Sequence, residues 1–329
     1  MVDHAHKGCD GVECNHLHAH VYHEGIGKKG ANNVASLIIK TLKLLGLLDK
    51  SCAGSELNII FDNCTGQNKN NTVLKLLVWL TEMGYFADVN FVFLVVGHTK
   101  NAADKLFNNL KMTYRKVNVH TMDELFKVLN VSGHVTVHPA EPDDFHDWKS
   151  YLNLFYSNFS QSKGGGLIKQ NHIFTCNYSR DFTGNNLNVN LRKSNLEKHQ
   201  VQKHRIIRRG FYGRKDFPNN AKGLKDAIAA RPGIMKEAIE TKLTVLEEPG
   251  INVFKQVELA TKFRKVVPLE VWEDELYVPP STEIVNFVKG EKARRKEFRS
   301  DLNTDKKKVQ KKELAAKKEK REQKKREEG

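Results

Sequence analysis

Short apolar runs alternate with longer segments of helical periodicity in the first part of the chain, and this alternation constrains the fold more than any other feature. The runs at 57–63 and 90–97 have the length of strands and are almost continuously apolar, which predicts strands buried on both faces. Between them, residues 71–84 carry apolar side chains at helical spacing. This order is typical of an α/β layer with parallel neighbouring strands. The same criteria predict a strand at 17–24 and helices at 31–48, 102–117, 122–130 and 143–159.

Composition divides the chain into three regions. The α/β pattern weakens beyond about residue 120, and the glycine run at 164–166 marks a boundary, so residues 1–160 are expected to form the first domain. Residues 161–288 are expected to form a basic accessory region. From residue 289 to 329, Lys, Arg and Glu predominate and apolar residues are too few to bury a core, which predicts a helical or disordered tail.

The charge balance favours a polyanionic partner. The 54 Lys and Arg residues exceed the 39 Asp and Glu residues and give a formal net charge of +15, so we expect DNA as the partner. The longest strongly apolar run, 91–96, is too short to span a membrane, and the first 25 residues contain no apolar core of a secretory signal. The five cysteines form no disulfide framework. With the basic cluster at 292–296, these features predict a nuclear protein without membrane contact.

The apolar run at 57–63 stops at a carboxylate, Asp62, and the residues that follow are nearly all small or amide-bearing. A carboxylate at the carboxyl end of a buried parallel strand lies where open α/β sheets place their ligands. The amides can also hydrogen-bond the turn itself or cap the next helix, which explains part of the motif without any ligand. The candidate substrate-binding residues of this turn are Gln67, Asn68, Lys69 and Asn70.

A second strand end carries a similar set of polar residues. The run at 90–97 is followed by His98, Lys100 and then Asp104 near the start of the helix predicted at 102–117. The helical wheel predicts a core stripe of Ala103, Leu106, Phe107, Leu110 and Tyr114. It predicts a separate polar stripe of Asp104, Asn108, Lys111 and Arg115.

The carboxyl ends of adjacent parallel strands lie at one edge of the sheet, so Asp62 and Asp104 are expected to converge there. Converging carboxylates are costly unless a cation neutralises them, and hard oxygen ligands suit Mg²⁺ or Mn²⁺. The two acids are therefore the catalytic and metal-ligating candidates. The residues expected to contact the phosphate backbone beside them are His98, Lys100, Lys111 and Arg115.

The segments DNCTGQNKNN at 62–71, VWL at 78–80 and GHTKN–D–LFNNLK at 97–111 resemble the ribonuclease-H-like, integrase-type domain of transposon-derived proteins, a family of unknown function. The resemblance covers roughly residues 15–160. It implies a mixed five-stranded sheet flanked by helices, with Asp62 ending the fourth strand and Asp104 on the helix after the fifth. The implied reaction is metal-dependent phosphodiester cleavage or strand transfer on DNA.

The resemblance also implies a first acid on a first strand, and this chain starts on the approach to the third strand. Asp3 and Asp10 have no apolar strand around them. We therefore expect a domain that lacks its first strands and is catalytically inactive as written. The strand at 17–24 is then expected to leave an unpaired edge through which the protein self-associates.

Two other functions are open at this point. One is a non-enzymatic, transposon-derived nucleic-acid-binding protein. The other is a nucleotide-binding α/β enzyme that uses the glycines at 25, 27 and 30, which form G-x-G-x-x-G between a strand and a helix. That fingerprint needs an acidic residue about 20 positions downstream, and Asp62 at the end of the next strand is too distant.

The histidine-rich segment near the N-terminus raises the question of zinc. Cys9, Cys14 and three alternating histidines (16, 18 and 20) could supply ligands, but no second pair of appropriate spacing closes a tetrahedral site. The alternation places the three histidines on one strand face, and an exposed histidine-rich strand is the prediction.

Overall fold

The protein is mixed α/β. In a computed structural model, the described residues are 1–7, 13–48, 54–95, 102–130, 135–159, 167–177, 182–183, 186–193, 202–207, 243–302 and 306. The chain forms two compact units, Met1–Gly250 and Ile251–Gly329. The first region was predicted to end at residue 160, whereas several strands beyond that residue join the larger sheet of the first unit.

A three-stranded sheet contains the histidine-rich segment. Its strands are β1 (Val2–Lys7), β2 (Glu13–Val21) and β5 (Val135–Pro139), in the order β1-β2-β5. Strand β1 is antiparallel to β2, and β5 is parallel to it. Two predictions are corrected here: a strand does precede residue 17, with Asp3 opposite His16, and β2 is central and paired on both sides. The proposed self-association through an edge of β2 therefore loses its basis.

The larger sheet contains the two apolar runs. It consists of β3 (Glu56–Phe61), β4 (Asp88–Phe93), β6 (Ile173–Asn177), β7 (Phe182–Thr183), β8 (Asn186–Arg192) and β9 (Gln202–Ile207). The order is β3-β4-β6-β8-β7, and β9 also pairs with β8. Strands β3 and β4 are parallel, as predicted, while the remaining pairs are antiparallel.

Three helices pack together beside this larger sheet: α1 (Ala31–Leu44), α2 (Asn71–Glu82) and α5 (Trp148–Phe155). Helix α2 lies against β4 and β6, α1 and α5 pack on α2, and α2 is buried almost all round. The Trp79 and Trp148 rings meet edge to face with centroids 5.3 Å apart. Strand β3 was predicted to be buried on both faces, but only its alternate residues are buried, and Ile60 on the other face is 56% exposed.

Two further helices belong to the smaller sheet. Helix α3 (Ala102–Tyr114) and helix α4 (Met122–Leu129) pack on each other, with α3 against β2 and α4 against β5. Thr121 and Glu124 form a capping box that fixes the start of α4. The shared core of this part consists of Leu17, Ala19, Leu110, Leu129, Val135 and Val137. A short helix, α6 (Leu167–Gln170), precedes β6.

The second unit is helical in its described part. Helix α7 (Val253–Glu258) continues into a π-helical turn (Leu259–Phe263), and α8 spans 282–302. Two guanidinium groups lie over aromatic rings, Arg264 over Trp272 and Arg295 over Phe254, each 4.6 Å from the ring centroid. No described helix is both long and apolar enough to cross a membrane.

Candidate functional site

Asp62 is exposed at the carboxyl end of the parallel pair β3–β4. Its Oδ1 accepts a hydrogen bond of 2.7 Å from the backbone N–H of Asn63. Its Oδ2 has no hydrogen-bond or ion-pair partner within the described part of the chain. The sequence therefore delivers a solvent-facing carboxylate to this edge of the sheet, where it could contact a cation or a donor group of a ligand.

The amide-rich residues after Asp62 build the turn. The carbonyl oxygen of Cys64 accepts from the N–H groups of Gln67, Asn68 and Lys69 at 2.8–3.3 Å. The Asn68 side chain donates to the carbonyl oxygen of Asp62 at 3.1 Å. Asn70 caps α2, because its Oδ1 accepts from the N–H groups of the second and third helical residues. Most of the amides that were candidate DNA ligands thus have a structural task.

Lys69 corrects the sequence-based assignment. It is only 2% exposed, and its Nζ donates to the carbonyl oxygen of Lys169 at 3.2 Å. The ammonium group also lies 5.7 Å from the centre of the Phe93 ring. Burial lowers the pKa of Lys69 to about 8. Lys69 therefore fastens the turn to the segment before β6 and does not face an external ligand.

Helix α3 differs most from its predicted environment. Of the five residues in its predicted core stripe, Leu110 is buried, whereas Phe107 is 54% exposed and Tyr114 is 38% exposed. The prediction was wrong for these two aromatic residues because, among the described residues, β2 and α4 are the main elements packed on α3, and they bury a narrow arc of the helix. Two large rings therefore lie on its solvent face.

The remainder of that solvent face is largely polar, with four basic side chains and one acidic side chain. The predicted polar stripe is exposed throughout, including Asp104 in the first helical turn. An acidic residue at this position also stabilises the helix through its dipole. We call the exposed surface of α3 and the turn after it the α3 face; its residues are Asp104, Lys105, Phe107, Asn108, Asn109, Lys111, Met112, Tyr114, Arg115 and Lys116.

The two candidate catalytic acids are attached to different sheets. Asp62 extends β3 of the larger sheet, whereas Asp104 lies on α3, which Leu106 and Leu110 anchor to the smaller sheet. His98 and Lys100 lie outside the described residues. Within the described ranges, no group of three or more His, Cys, Asp or Glu side chains could hold a metal ion. The described residues therefore do not by themselves supply the Mg²⁺ or Mn²⁺ site implied by the resemblance, which stays a prediction, and we derive no reaction step through such a metal.

The histidine-rich strand is buried, contrary to prediction. His16 and His18 are 6% and 8% exposed, and they bond residues of β5 that are distant in sequence. His16 Nε2 bonds Thr136 Oγ1 at 2.7 Å, and His18 Nδ1 bonds His138 Nε2 at 3.0 Å. His20, the third histidine of β2 in this group, bonds Thr41 Oγ1 of α1 at 2.7 Å through its Nε2.

Two of these imidazoles, those of His20 and His138, favour their neutral forms. Burial lowers the pKa of His20 to about 3, assisted by repulsion from the N-terminal amine, His138 and Lys40, while Asp144 opposes the shift. Burial also lowers the pKa of His138. The hydrogen bonds of these histidines thus join β2 to β5 and to α1.

The glycine-rich turn is filled by the protein's own side chains. A Cβ at Gly27 would lie 2.7 Å from Tyr22 and 2.9 Å from both Asn33 and Phe145. The Asn32 side chain also bonds the α5 segment, donating to Asp147 Oδ1 at 2.9 Å. The glycine at 27 thus permits close internal packing, and this explains that glycine of the motif without a nucleotide.

Comparison with known proteins gives one result. A family model described as "Domain of unknown function (DUF7869)" matches residues 11–183, just over half of the chain. The chain belongs to the DUF7869 family. No curated protein and no solved structure matches it.

The DUF7869 region contains all the features described above: the Asp62 turn, the α3 face, the buried histidines and the glycine turn. The second compact unit lies outside it. Sequence reasoning missed Phe107 and Tyr114 as surface residues, although one signal could have identified them. The predicted core stripe of α3 contains only two large aliphatic residues, Leu106 and Leu110, and this is a narrow stripe for a buried helix.

Proposed function

We propose that this DUF7869 protein binds DNA and that the α3 face is a principal contact surface. The observation that carries the proposal is the combination of exposed cations and exposed aromatic rings on this one helix. Lys105, Lys111, Arg115 and Lys116 are all exposed, and Asp104 is the only acidic residue of the face. The formal net charge of +15 adds a long-range attraction for a polyanion.

The anchoring of α3 supports this role. Leu110 is buried and Leu106 is packed against the core of the smaller sheet, so the solvent face of the helix has a fixed orientation. Lys111 and Arg115 are one helical turn apart, about 6 Å along the axis. The side chains of Lys111 and Arg115 can contact neighbouring phosphate groups. Asn108, which precedes Lys111 by one turn, can donate a hydrogen bond to the DNA or accept one from it.

The test is a measurement of DNA affinity by fluorescence anisotropy at several salt concentrations, from about 50 to about 200 mM. The variant Lys111→Glu/Arg115→Glu is compared with Lys43→Glu/Lys149→Glu, which reverses two exposed charges on α1 and α5. The α3 variant is expected to lower affinity at least tenfold and to reduce the slope of log K against log salt by about 2. The control is expected to stay within about twofold. Equal losses in both variants would contradict a localised α3 contact.

Three finer proposals accompany DNA binding and rest on the sequence resemblance. They are a ribonuclease-H-like topology, an origin in a transposable element and a nuclear location. The parallel pair β3–β4, with α2 packed against β4 and α1 packed on α2, supports the first. The exposed basic cluster at 292–296 on α8 supports the third.

Phosphodiester cleavage is the second candidate function, favoured by the exposure of both Asp62 and Asp104. We predict no cleavage, because the described residues do not bring these acids into a metal site. The measurement is a nuclease and strand-transfer assay with Mg²⁺ or Mn²⁺. It compares the parent with Asp62→Asn and Asp104→Asn, and with Asp143→Asn as an exposed control. Activity that both site variants abolish and the control retains would establish catalysis instead.

A further inference from the structure

We propose that the α3 face prefers single-stranded to duplex DNA, with Phe107 and Tyr114 stacking on unpaired bases. This inference rests on the proposed DNA binding and specifies the form of nucleic acid. Phe107 is 54% exposed and Tyr114 is 38% exposed, so part of each large ring faces solvent. Aromatic side chains beside cations are the usual means by which proteins hold single strands without reading their sequence.

The spacing of the two rings fits a short single strand. Phe107 and Tyr114 are seven residues apart, so they lie on the same side of the helix at a separation of about 10 Å along its axis. That is the length of about three stacked nucleotides. A base in a duplex has both faces covered by neighbouring base pairs, whereas an unpaired base offers a face to each ring.

The cations lie beside the rings. Lys111 follows Phe107 by one turn and precedes Tyr114 by three residues, and Arg115 is adjacent to Tyr114. On a helix, positions three and four apart are neighbours, so Lys111 occupies a position between the two residues that carry the rings. A strand whose bases stack on the rings would therefore carry its phosphates past Lys111 and Arg115.

The charge of the face argues against a second copy of the chain as its occupant. Four cations, Lys105, Lys111, Arg115 and Lys116, oppose a single carboxylate, Asp104. Face-to-face pairing of two such helices would bring like charges together around the rings, which is unfavourable. A polyanion neutralises the same four charges. Charge complementarity thus assigns the face to nucleic acid.

The experiment measures the affinity of the full chain for a single strand of about 16 nucleotides and for the duplex of the same sequence, at one salt concentration. The variant is Phe107→Ala/Tyr114→Ala. Its control is Phe263→Ala/Phe287→Ala, which removes two rings of the second unit that are 49% and 59% exposed and lie outside 289–329. Circular dichroism checks the fold of each variant, and light scattering measures its mass.

The parent is expected to bind the single strand more tightly than the duplex. The α3 variant should lose at least about tenfold in single-strand affinity and less than about twofold in duplex affinity, and the control should lose neither. Equal losses for both forms of DNA, or a parent that prefers the duplex, would overturn the stacking proposal. So would a parent dimer that the α3 variant converts to a monomer.

The two levels of the proposal fail differently. If Lys111→Glu/Arg115→Glu weakens binding to both forms while Phe107→Ala/Tyr114→Ala shows no single-strand selectivity, DNA binding stands and the strand preference falls. If the charge variant changes neither affinity, the α3 face is not a DNA site, and both proposals fall.

Discussion

At the scale of single residues, the buried histidines illustrate how far a local pattern can be misleading. The alternation of residues 16, 18 and 20 correctly placed them on one face of a strand, but not their burial. Their partners, Thr136 and His138, lie about 120 residues away on β5 and supply hydrogen bonds that offset the cost of burying the rings. No local signal announces such a partner.

The lowered pKa of His20 predicts that acid destabilises the fold. In the unfolded chain, His20 binds a proton below about pH 6.5, whereas in the folded chain it stays neutral down to about pH 3. The contribution of His20 to the free energy of unfolding is therefore fully present above about pH 6.5 and is lost as pH decreases toward about 3. For one titrating group, the free energy of unfolding can fall by at most about 1.4 kcal/mol per pH unit, and the partial exposure of His20 to solvent reduces this loss. Urea unfolding at about pH 7.5 and about pH 5 should show a loss of roughly 1 kcal/mol. His20→Gln should lose less over the same interval, and an equal loss would assign the effect to other groups.

Gly27 provides a second test at this scale. Alanine at this position would place its Cβ within 2.9 Å of Tyr22, Asn33 and Phe145, so Gly27→Ala should destabilise the protein by about 1–3 kcal/mol through overpacking. Gly30→Ala is the matched control, because nothing lies within 4 Å of its Cβ and its φ of −171° suits any residue. Thermal unfolding compares the two variants. Similar melting temperatures would show that the turn is open enough to hold a ligand.

At the scale of elements, the sequence predicted what depends on periodicity and missed what depends on neighbours. The parallel pair β3–β4 and helices α1 to α4 follow from apolar spacing and are present with small shifts of their ends. Helix ends agree with local chemistry, as in the Asn70 cap of α2. Strands β6 to β9 were not predicted. Strands β8 and β9 are rich in Asn, Lys and Arg, and β8 is paired with β6 while β9 is paired with β8.

The candidate site shows the same division. The polar stripe of α3 was predictable from the helical wheel, and the exposure of Asp62 from its position after a strand. The exposure of Phe107 and Tyr114 depends on the few elements that reach α3. The burial of Lys69 depends on the carbonyl oxygen of Lys169, which lies 100 residues further along the chain.

At the scale of the whole molecule, the excess of positive charge is the property on which the proposed DNA binding depends most. Residues 289–329 carry 18 Lys and Arg against 9 Asp and Glu, and the part of this segment up to residue 302 forms the exposed end of α8. Deleting 289–329 should weaken DNA binding and lower its salt dependence, because fewer cations displace counterions. Deleting only 303–329 tests whether α8 itself contributes. DNA affinity and the slope of log K against log salt concentration are measured by anisotropy titration. If both truncated proteins match the parent in affinity and slope, this segment has no role in DNA binding.

DNA binding by the α3 face can be tested by identifying which residues of the protein touch bound DNA. A single strand containing 5-bromodeoxyuridine is bound to the full chain and irradiated, and the crosslinked peptides are identified by mass spectrometry. We expect crosslinks within residues 102–117, above all at Phe107 and Tyr114. In the Phe107→Ala/Tyr114→Ala variant these crosslinks should be lost. Crosslinks confined to other parts of the chain, with none in 102–117, would contradict DNA binding by the α3 face.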